Sequence, residues 1–388
     1  MKRIYGTSAL LLLVIGLIAL ILPAAASTNQ LECQDKNKDY SMEQRIFACT
    51  AMIHSESDKT NVELAHYYRG NAYSDKGDLD RAIEDYTQAI HLNHNKPDPH
   101  YFFNRGNAYR NKGDLDLSVA DYDQVINLNP KWVNNAFDNR AVAYRLKGNY
   151  DRAVADCSQA IRLDPKDAFG HYNCGLAYSD QGNYDRAIAE YGETIRLNPK
   201  LAPFVYSYRG NAYQGKNDYD RAITDYDNAI RLDPKFAFAY LSRGIANLCT
   251  GALPKALADL DHASALNPKD GYAALWLDIV GRRSQVASRL PQAIAQIDMT
   301  KWPAPIIRLF LGQTTPAAVL AAADDPNPLK KEGRLCEVNL YNGELALQQG
   351  AREDATRLFR VAAEGCPKDH PIEVSAANAE LRALGTSP

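Results

Sequence analysis

Most of the usual signatures of catalysis are missing from this 388-residue chain. There is no His-Glu-x-x-His, no glycine-rich phosphate loop and no Gly-x-Ser-x-Gly, so metalloprotease, nucleotide-hydrolase and serine-hydrolase chemistry has no foothold. None of the 7 cysteines stands with a histidine and a polar orienting residue in a nucleophile's spacing. Lysine and arginine form no cluster, which argues against a nucleic-acid partner. Beyond the first 26 residues no stretch is apolar enough to cross a bilayer. What is abundant is tyrosine, 23 copies against 10 phenylalanines. With 46% apolar and 23% charged residues the chain is globular. Its length allows two or three domains or one long array.

The first 26 residues read as an export signal. Lys2 and Arg3 give a positive end, Ala9 to Leu22 is apolar apart from Gly16, Pro23 breaks the helix, and Ala24 to Ala26 offer small residues to a peptidase. Cleavage is expected after Ala26; the alternative is an uncleaved anchor, although the apolar run is shorter than the roughly 20 residues that span a bilayer. Ser27 stands where a lipoprotein needs cysteine, so no lipid anchor is expected. Removing the leader leaves 42 basic and 47 acidic residues, a net charge of −5. The expected setting is the periplasm.

A repeat dominates the chain beyond the leader. Tyr68-Arg69-Gly70-Asn71-Ala72-Tyr73 returns as Asn104 to Tyr109, Asn139 to Tyr144, Asn173 to Tyr178, Tyr208 to Tyr213 and Ser242 to Asn247, in steps of 36, 35, 34, 35 and 34 residues. A second block trails each copy, as in Asp80-Arg81-Ala82-Ile83-Glu84-Asp85-Tyr86 and Asp220 to Tyr226. Most units close on proline: Pro130, Pro165, Pro199, Pro234 and Pro268. The pattern resembles the tetratricopeptide repeat (TPR), which implies an all-α fold, an α-solenoid of helix-turn-helix units wound as a right-handed superhelix. The chemistry agrees. Small residues let two antiparallel helices approach, tyrosines fill the gap, glycine supplies the turn's left-handed backbone, and proline ends the unit. One unit cannot bury its apolar face, so units must stack.

The expected organisation is a leader (1–26), a cap (27–61), six repeats (62–269), a helical connector (270–335), a degenerate seventh repeat (336–369) and a capping helix with its tail (370–388). In the seventh unit Gly343, Gly350, Ala355, Phe359, Ala362 and Pro367 hold the repeat's offsets. From Trp302 through that unit the chain resembles the C-terminal half of NlpI-type periplasmic TPR adaptors, though it lacks their lipid-bearing cysteine.

Arg69, Arg105, Arg140, Arg209 and Arg243 each precede an aspartate by sixteen residues: Asp85, Asp121, Asp156, Asp225 and Asp259. We read these as an ion-pair ladder between the helices of a unit, with an anion-binding row as the alternative. Cys33 and Cys49 are expected to staple the cap, and Cys336 and Cys366 the two ends of the seventh unit. Cys157 and Cys174 either pair or stay as buried thiols, and Cys249 is read as free. His91, His94 and His100 lack a metal site's spacing and are read as solvated, so no metal and no cofactor is expected.

Carried over from the TPR resemblance, the face that takes partners is built by the first helix of each unit. It comprises Tyr67, Asn71, Phe103, Asn104, Asn107, Arg110, Asn139, Arg145, Phe169, Tyr172, Asn173, Phe204, Asn211 and Phe238, with Asp138 and Leu241 beside them. Amides suit an extended backbone and aromatics supply anchors. The slots that hold lysine in carboxylate-clamping TPR domains carry Tyr67, Asn135 and Asn139, which argues against capture of a C-terminal carboxylate. The expected function is a non-catalytic adaptor for a protein or peptide partner. A carrier of a small or polysaccharide ligand is the alternative, and homodimerisation stays open.

Overall fold

The computed structural model describes residues 29–34, 39–55, 59–93, 95–96 and 98–386. The leader and His94 lie outside them. Among the described residues all regular structure is helical, and no helix is long and apolar enough to cross a membrane. The chain divides into two compact units, one ending at Lys147 and one beginning at Gly148.

The first unit opens with α1 (29–34) and α2 (Met42–Ser55). Then come the hairpin α3 (Lys59–Lys76) with α4 (Leu79–Leu92), the hairpin α5 (Pro99–Lys112) with α6 (Leu115–Leu128), and α7 (Val133–Leu146). The second unit starts at α8 (Tyr150–Leu163), so the two helices of the third repeat fall one in each unit. It continues with the hairpins α9 (Ala168–Asp180) and α10 (Tyr184–Leu197), α11 (Ala202–Gly215) and α12 (Tyr219–Leu232), and α13 (Ala237–Cys249) and α14 (Leu253–Leu266). Beyond the repeats lie α15 (Gly271–Arg283), the short α16 (Leu290–Ala293), α17 (Ala304–Phe310) and α18 (Pro316–Ala322). The long hairpin of α19 (Pro328–Gln348) and α20 (Arg352–Gly365) comes next, then α21 (Pro371–Ala383).

The hairpins owe their form to a few recurring residues. Second helices start on a polar cap: Asp78, Asn183 and Asp218 accept from the backbone N–H three residues on. Gly77 turns the chain at φ 82°, and Asn217 does so at 59° where the fifth unit has no glycine. The helices then close on one another without room to spare. A Cβ on Gly175 would stand 2.5 Å from the Tyr191 ring, one on Gly210 2.6 Å from Tyr226, and one on Gly343 2.7 Å from Phe359. The seventh hairpin, α19–α20, thus repeats the contact of the others with phenylalanine in the tyrosine's place.

Packing differs along the second unit. In the repeats the core is small-residue and tyrosine based, with Ala222, Tyr226 and Ala229 wholly inside. From Leu241 onward it becomes one continuous apolar cluster of aliphatic and aromatic side chains, taking in Leu275, Trp276, Ile279, Ile306, Ile307, Tyr341 and Phe359. Burying a side chain such as Phe359 is worth about 1.5–3 kcal/mol, so this C-terminal core anchors the unit. The helix α21 closes it and also packs on α11 and α13. It sits at their C-terminal ends, where Tyr219 Oη lies 3.0 Å from Ser375 Oγ and accepts from Arg382 at 2.9 Å.

Candidate functional site

The arginine–aspartate ladder is present. Arg69 reaches Asp85 at 2.8 Å, Arg105 reaches Asp121 at 2.7 Å and Arg209 reaches Asp225 at 2.7 Å. Arg243 grips Asp259 and also Asp227. Where the fourth unit has Cys174 instead of arginine, His171 Nδ1 meets Glu190 at 2.7 Å. Arg140 engages Asp123, on the helix before it. The rungs are chemically unequal. Burial pushes the Asp85 carboxyl up, but hydrogen bonds from Arg69 and His66 more than offset that and leave it below the ordinary value. Asp225 has Arg209 alone, and burial leaves it raised. Where the carboxylate is Asp85, Asp121, Asp225 or Asp259 it is buried and gripped by its arginine, so these rungs hold the register of the hairpin.

The amides expected to greet a peptide are largely engaged inside the protein. Asn71, Asn107 and Asn211 each accept the hydroxyl of a core tyrosine at 2.7–2.8 Å: Tyr86, Tyr122 and Tyr226. Asn104 donates to Asn71 at 2.9 Å and to Tyr67 at 3.2 Å. Asn139 accepts from Arg110 and donates to the Asn135 carbonyl at 2.8 Å. These side chains thus hold at least one bond each inside the protein while staying only partly buried, Asn139 through Arg110 and the Asn135 carbonyl and the others through tyrosines or a neighbouring amide. Asp138 and Leu241 are buried. Arg145 and Asn173 are half-buried. In the first unit the rings that remain are Tyr67, packed on Tyr101 at 4.9 Å, and Phe103, edge-on to Trp132 at 5.3 Å.

The second unit keeps an open aromatic face. Phe169 and Phe204 stand on the first turns of α9 and α11 with 56% and 50% of their surface exposed. Phe204 meets Phe236 at 4.9 Å, Phe236 meets Phe238 at 5.9 Å, and Tyr208 links Phe238 at 6.3 Å to Tyr172 at 5.8 Å. The rings thus run across α9, α11 and α13 without a break. They lie towards the helix N-termini, the end opposite the one covered by α21. Sequence reasoning misses Phe236, Trp132 and Tyr208. Phe236 and Trp132 each come directly after a Pro-Lys pair between units (Pro234-Lys235, Pro130-Lys131), a signal available in the sequence.

Three cysteine pairs are drawn to bonding distance: Cys33–Cys49 at 2.10 Å, Cys157–Cys174 at 1.97 Å and Cys336–Cys366 at 1.84 Å. Cys249 is free and partly buried, and burial raises its thiol to about 12. No ligand cluster forms around His100 among the described residues; its Nδ1 meets Asp98 at 2.8 Å. The titratable cluster that does form has no counterpart in the sequence motifs: Glu337, His370 and Glu373 converge at the start of α21. Burial raises Glu337 to about 7 and Glu373 adds to the effect. Nearby, Arg283 holds two largely buried carboxylates, Glu344 and Glu380.

Stacked antiparallel hairpins with small-residue seams and an exposed aromatic face define a helical repeat protein of the scaffold class. Family models agree and are specific. "TPR repeat" matches residues 142–182, and "Tetratricopeptide repeat" matches 64–96, 99–132, 168–201 and 203–236. The chain is a tetratricopeptide repeat protein. Among solved structures it is similar to a TPR protein from Parabacteroides merdae at TM-score 0.54 and 19% identity, covering 66% of this chain and 99% of that one, which shows the fold. Looser likenesses are YrrB, described as a TPR protein with an unusual peptide-binding site (TM-score 0.40, 18% identity, 50% and 95% covered), and MamA (0.41, 24%, 46% and 94%). No curated protein matches the chain's sequence.

Proposed function

We propose that this TPR protein is an exported, non-catalytic adaptor of the bacterial cell envelope that holds a protein or peptide partner on the aromatic face of α9, α11 and α13. The observation that carries this reading is the half exposure of Phe169 and Phe204, with Phe204 at the open end of a network of rings that runs through Phe236, Phe238, Tyr208 and Tyr172. An apolar ring in water costs free energy that a partner's side chain recovers, about 1.5–3 kcal/mol for each phenylalanine fully covered. The surrounding rings are fixed by one another, so little side-chain entropy is lost on binding.

Export rests on the sequence of residues 1–26 and on cysteine use. Three pairs poised to bond suit an oxidising compartment, and one bridge across the seventh unit's 30-residue separation adds about 3.5 kcal/mol in the chain-entropy model. The resemblance to NlpI-type adaptors supports recruitment of another envelope protein. Aromatic faces also stack on sugar rings, so a polysaccharide carrier is the rival reading.

A pull-down from envelope extract, with titration of the purified partner afterwards, separates the two. The adaptor reading expects a stoichiometric protein whose Kd rises at least about tenfold when Phe169→Ala and Phe204→Ala are combined. Saturable binding of a glycan with no protein recovered would favour the carrier.

A further inference from the structure

The cluster at the start of α21 has a composition the repeat architecture does not require. Glu337 comes from α19, His370 caps α21 and Glu373 lies in its first turn. One donor atom from each lies within 4.8 Å of the others. His370 Nδ1 and Glu373 Oε2 are 3.6 Å apart. That is long for a hydrogen bond, which prefers 2.7–3.2 Å. It is close to the roughly 3.4 Å that separates two ligands of one tetrahedral zinc with bonds of about 2.1 Å.

The surroundings are those of a supported ligand set. Tyr272 Oη donates to Glu337 at 3.0 Å and Trp302 Nε1 donates to it at 2.7 Å, fixing the carboxylate while leaving it further lone pairs. Outer donors of this kind orient metal-bound carboxylates. Gly333 makes room for the imidazole, since a Cβ there would stand 2.5 Å from His370 Nε2. The remaining ring nitrogen, Nδ1, is the one turned to Glu373. Arg334, one turn before Glu337 on α19, is engaged elsewhere, with Asp325 at 3.0 Å.

We propose that Glu337, His370 and Glu373 bind one divalent transition-metal ion, with zinc the representative, and that the ion fastens α21 to α19. One imidazole and two carboxylates form a borderline ligand set suited to zinc and its neighbours rather than to calcium. The three protein ligands leave a fourth position to water. Because α21 also carries Ser375 and Arg382 against Tyr219 of the repeats, the ion would tie the C-terminal helix and its repeat contacts into one cooperative element.

The test uses the untagged full chain, stripped with a chelator and titrated with zinc chloride by calorimetry, with thermal melts in parallel. We expect one zinc per chain and a melting temperature several degrees higher with zinc. In His370→Ala and in Glu373→Gln the affinity should fall at least about tenfold and the thermal gain should vanish, with far-UV helicity retained. Cys249→Ser should bind as the parent does. Absence of one-to-one binding, or binding and thermal gain that survive in both ligand variants, overturns the proposal.

Discussion

At the residue scale the fold depends on contacts that leave no slack. Gly175 faces the Tyr191 ring, and a methyl group there would sit 2.5 Å from it. Gly175→Ala should therefore cost about 1–3 kcal/mol by overpacking, read as a lower urea midpoint. Gly365 has nothing within 4 Å, and its change to alanine should be neutral or slightly stabilising. The ion-pair ladder gives a second residue-level expectation, in which two aspartates in equivalent positions act with opposite sign. Asp85 lies below its ordinary value of 3.8, so the folded state binds its proton less readily. Its contribution is present above that value and is lost as pH falls through the folded pKa. Asp225 is raised above 3.8, so its contribution is present below the ordinary value and is lost as pH rises through the folded pKa. Urea unfolding between about pH 3 and 6 should show Asp85→Asn flattening the acid-side loss, while Asp225→Asn removes a decline towards neutral pH. Equal effects of the two changes would contradict the assigned causes.

The same scale shows how much of the site is legible in the sequence. Arginine and aspartate sixteen apart are readable because a hairpin of fixed length must oppose them. The tyrosine–asparagine bonds are equally periodic, Asn71 with Tyr86 and Asn211 with Tyr226. They escape a sequence reading because an amide on a first helix serves a visiting backbone as well as it serves a core hydroxyl needing an acceptor. Glu337, His370 and Glu373 cannot be found this way. Their spacing is irregular, and only the return of α21 onto α19 brings them together.

At the scale of elements the C-terminal hairpin and α21 bear the most testable expectations. Cys336 and Cys366 stand 4.9 Å apart at Cα. Replacing both with serine should lower stability by about 3.5 kcal/mol, seen as an earlier transition of the second unit. Peptide mapping without reductant should recover six cysteines as three pairs. Cys249 should alkylate rapidly only after unfolding, because burial holds its thiol at about 12. The contact of α21 with the repeats rests on Tyr219, which meets Ser375 and Arg382. Tyr219→Phe removes both polar contacts and keeps the ring. Hydrogen exchange should then quicken in α21, while α9 and α10 stay as protected as before.

At the scale of the molecule, both units use the same hairpin but finish their first-helix face differently. In the first unit Asn71 and Asn107 accept from core tyrosines, and Phe103 packs on Trp132. In the second, Asn211 bonds Tyr226 in the same way, but Phe169 and Phe204 stay half-exposed, Phe204 at the end of a ring network. The account's central claim is that this second face is where a protein partner sits. Photocrosslinking from a benzophenone residue at position 204, with position 232 on the exposed side of α12 as the comparison, tests it most directly. The account predicts a discrete protein adduct from position 204 that disappears with Phe169→Ala and is absent from position 232. Adducts of equal yield from both positions, or none from position 204 under conditions where the partner co-purifies, would contradict it.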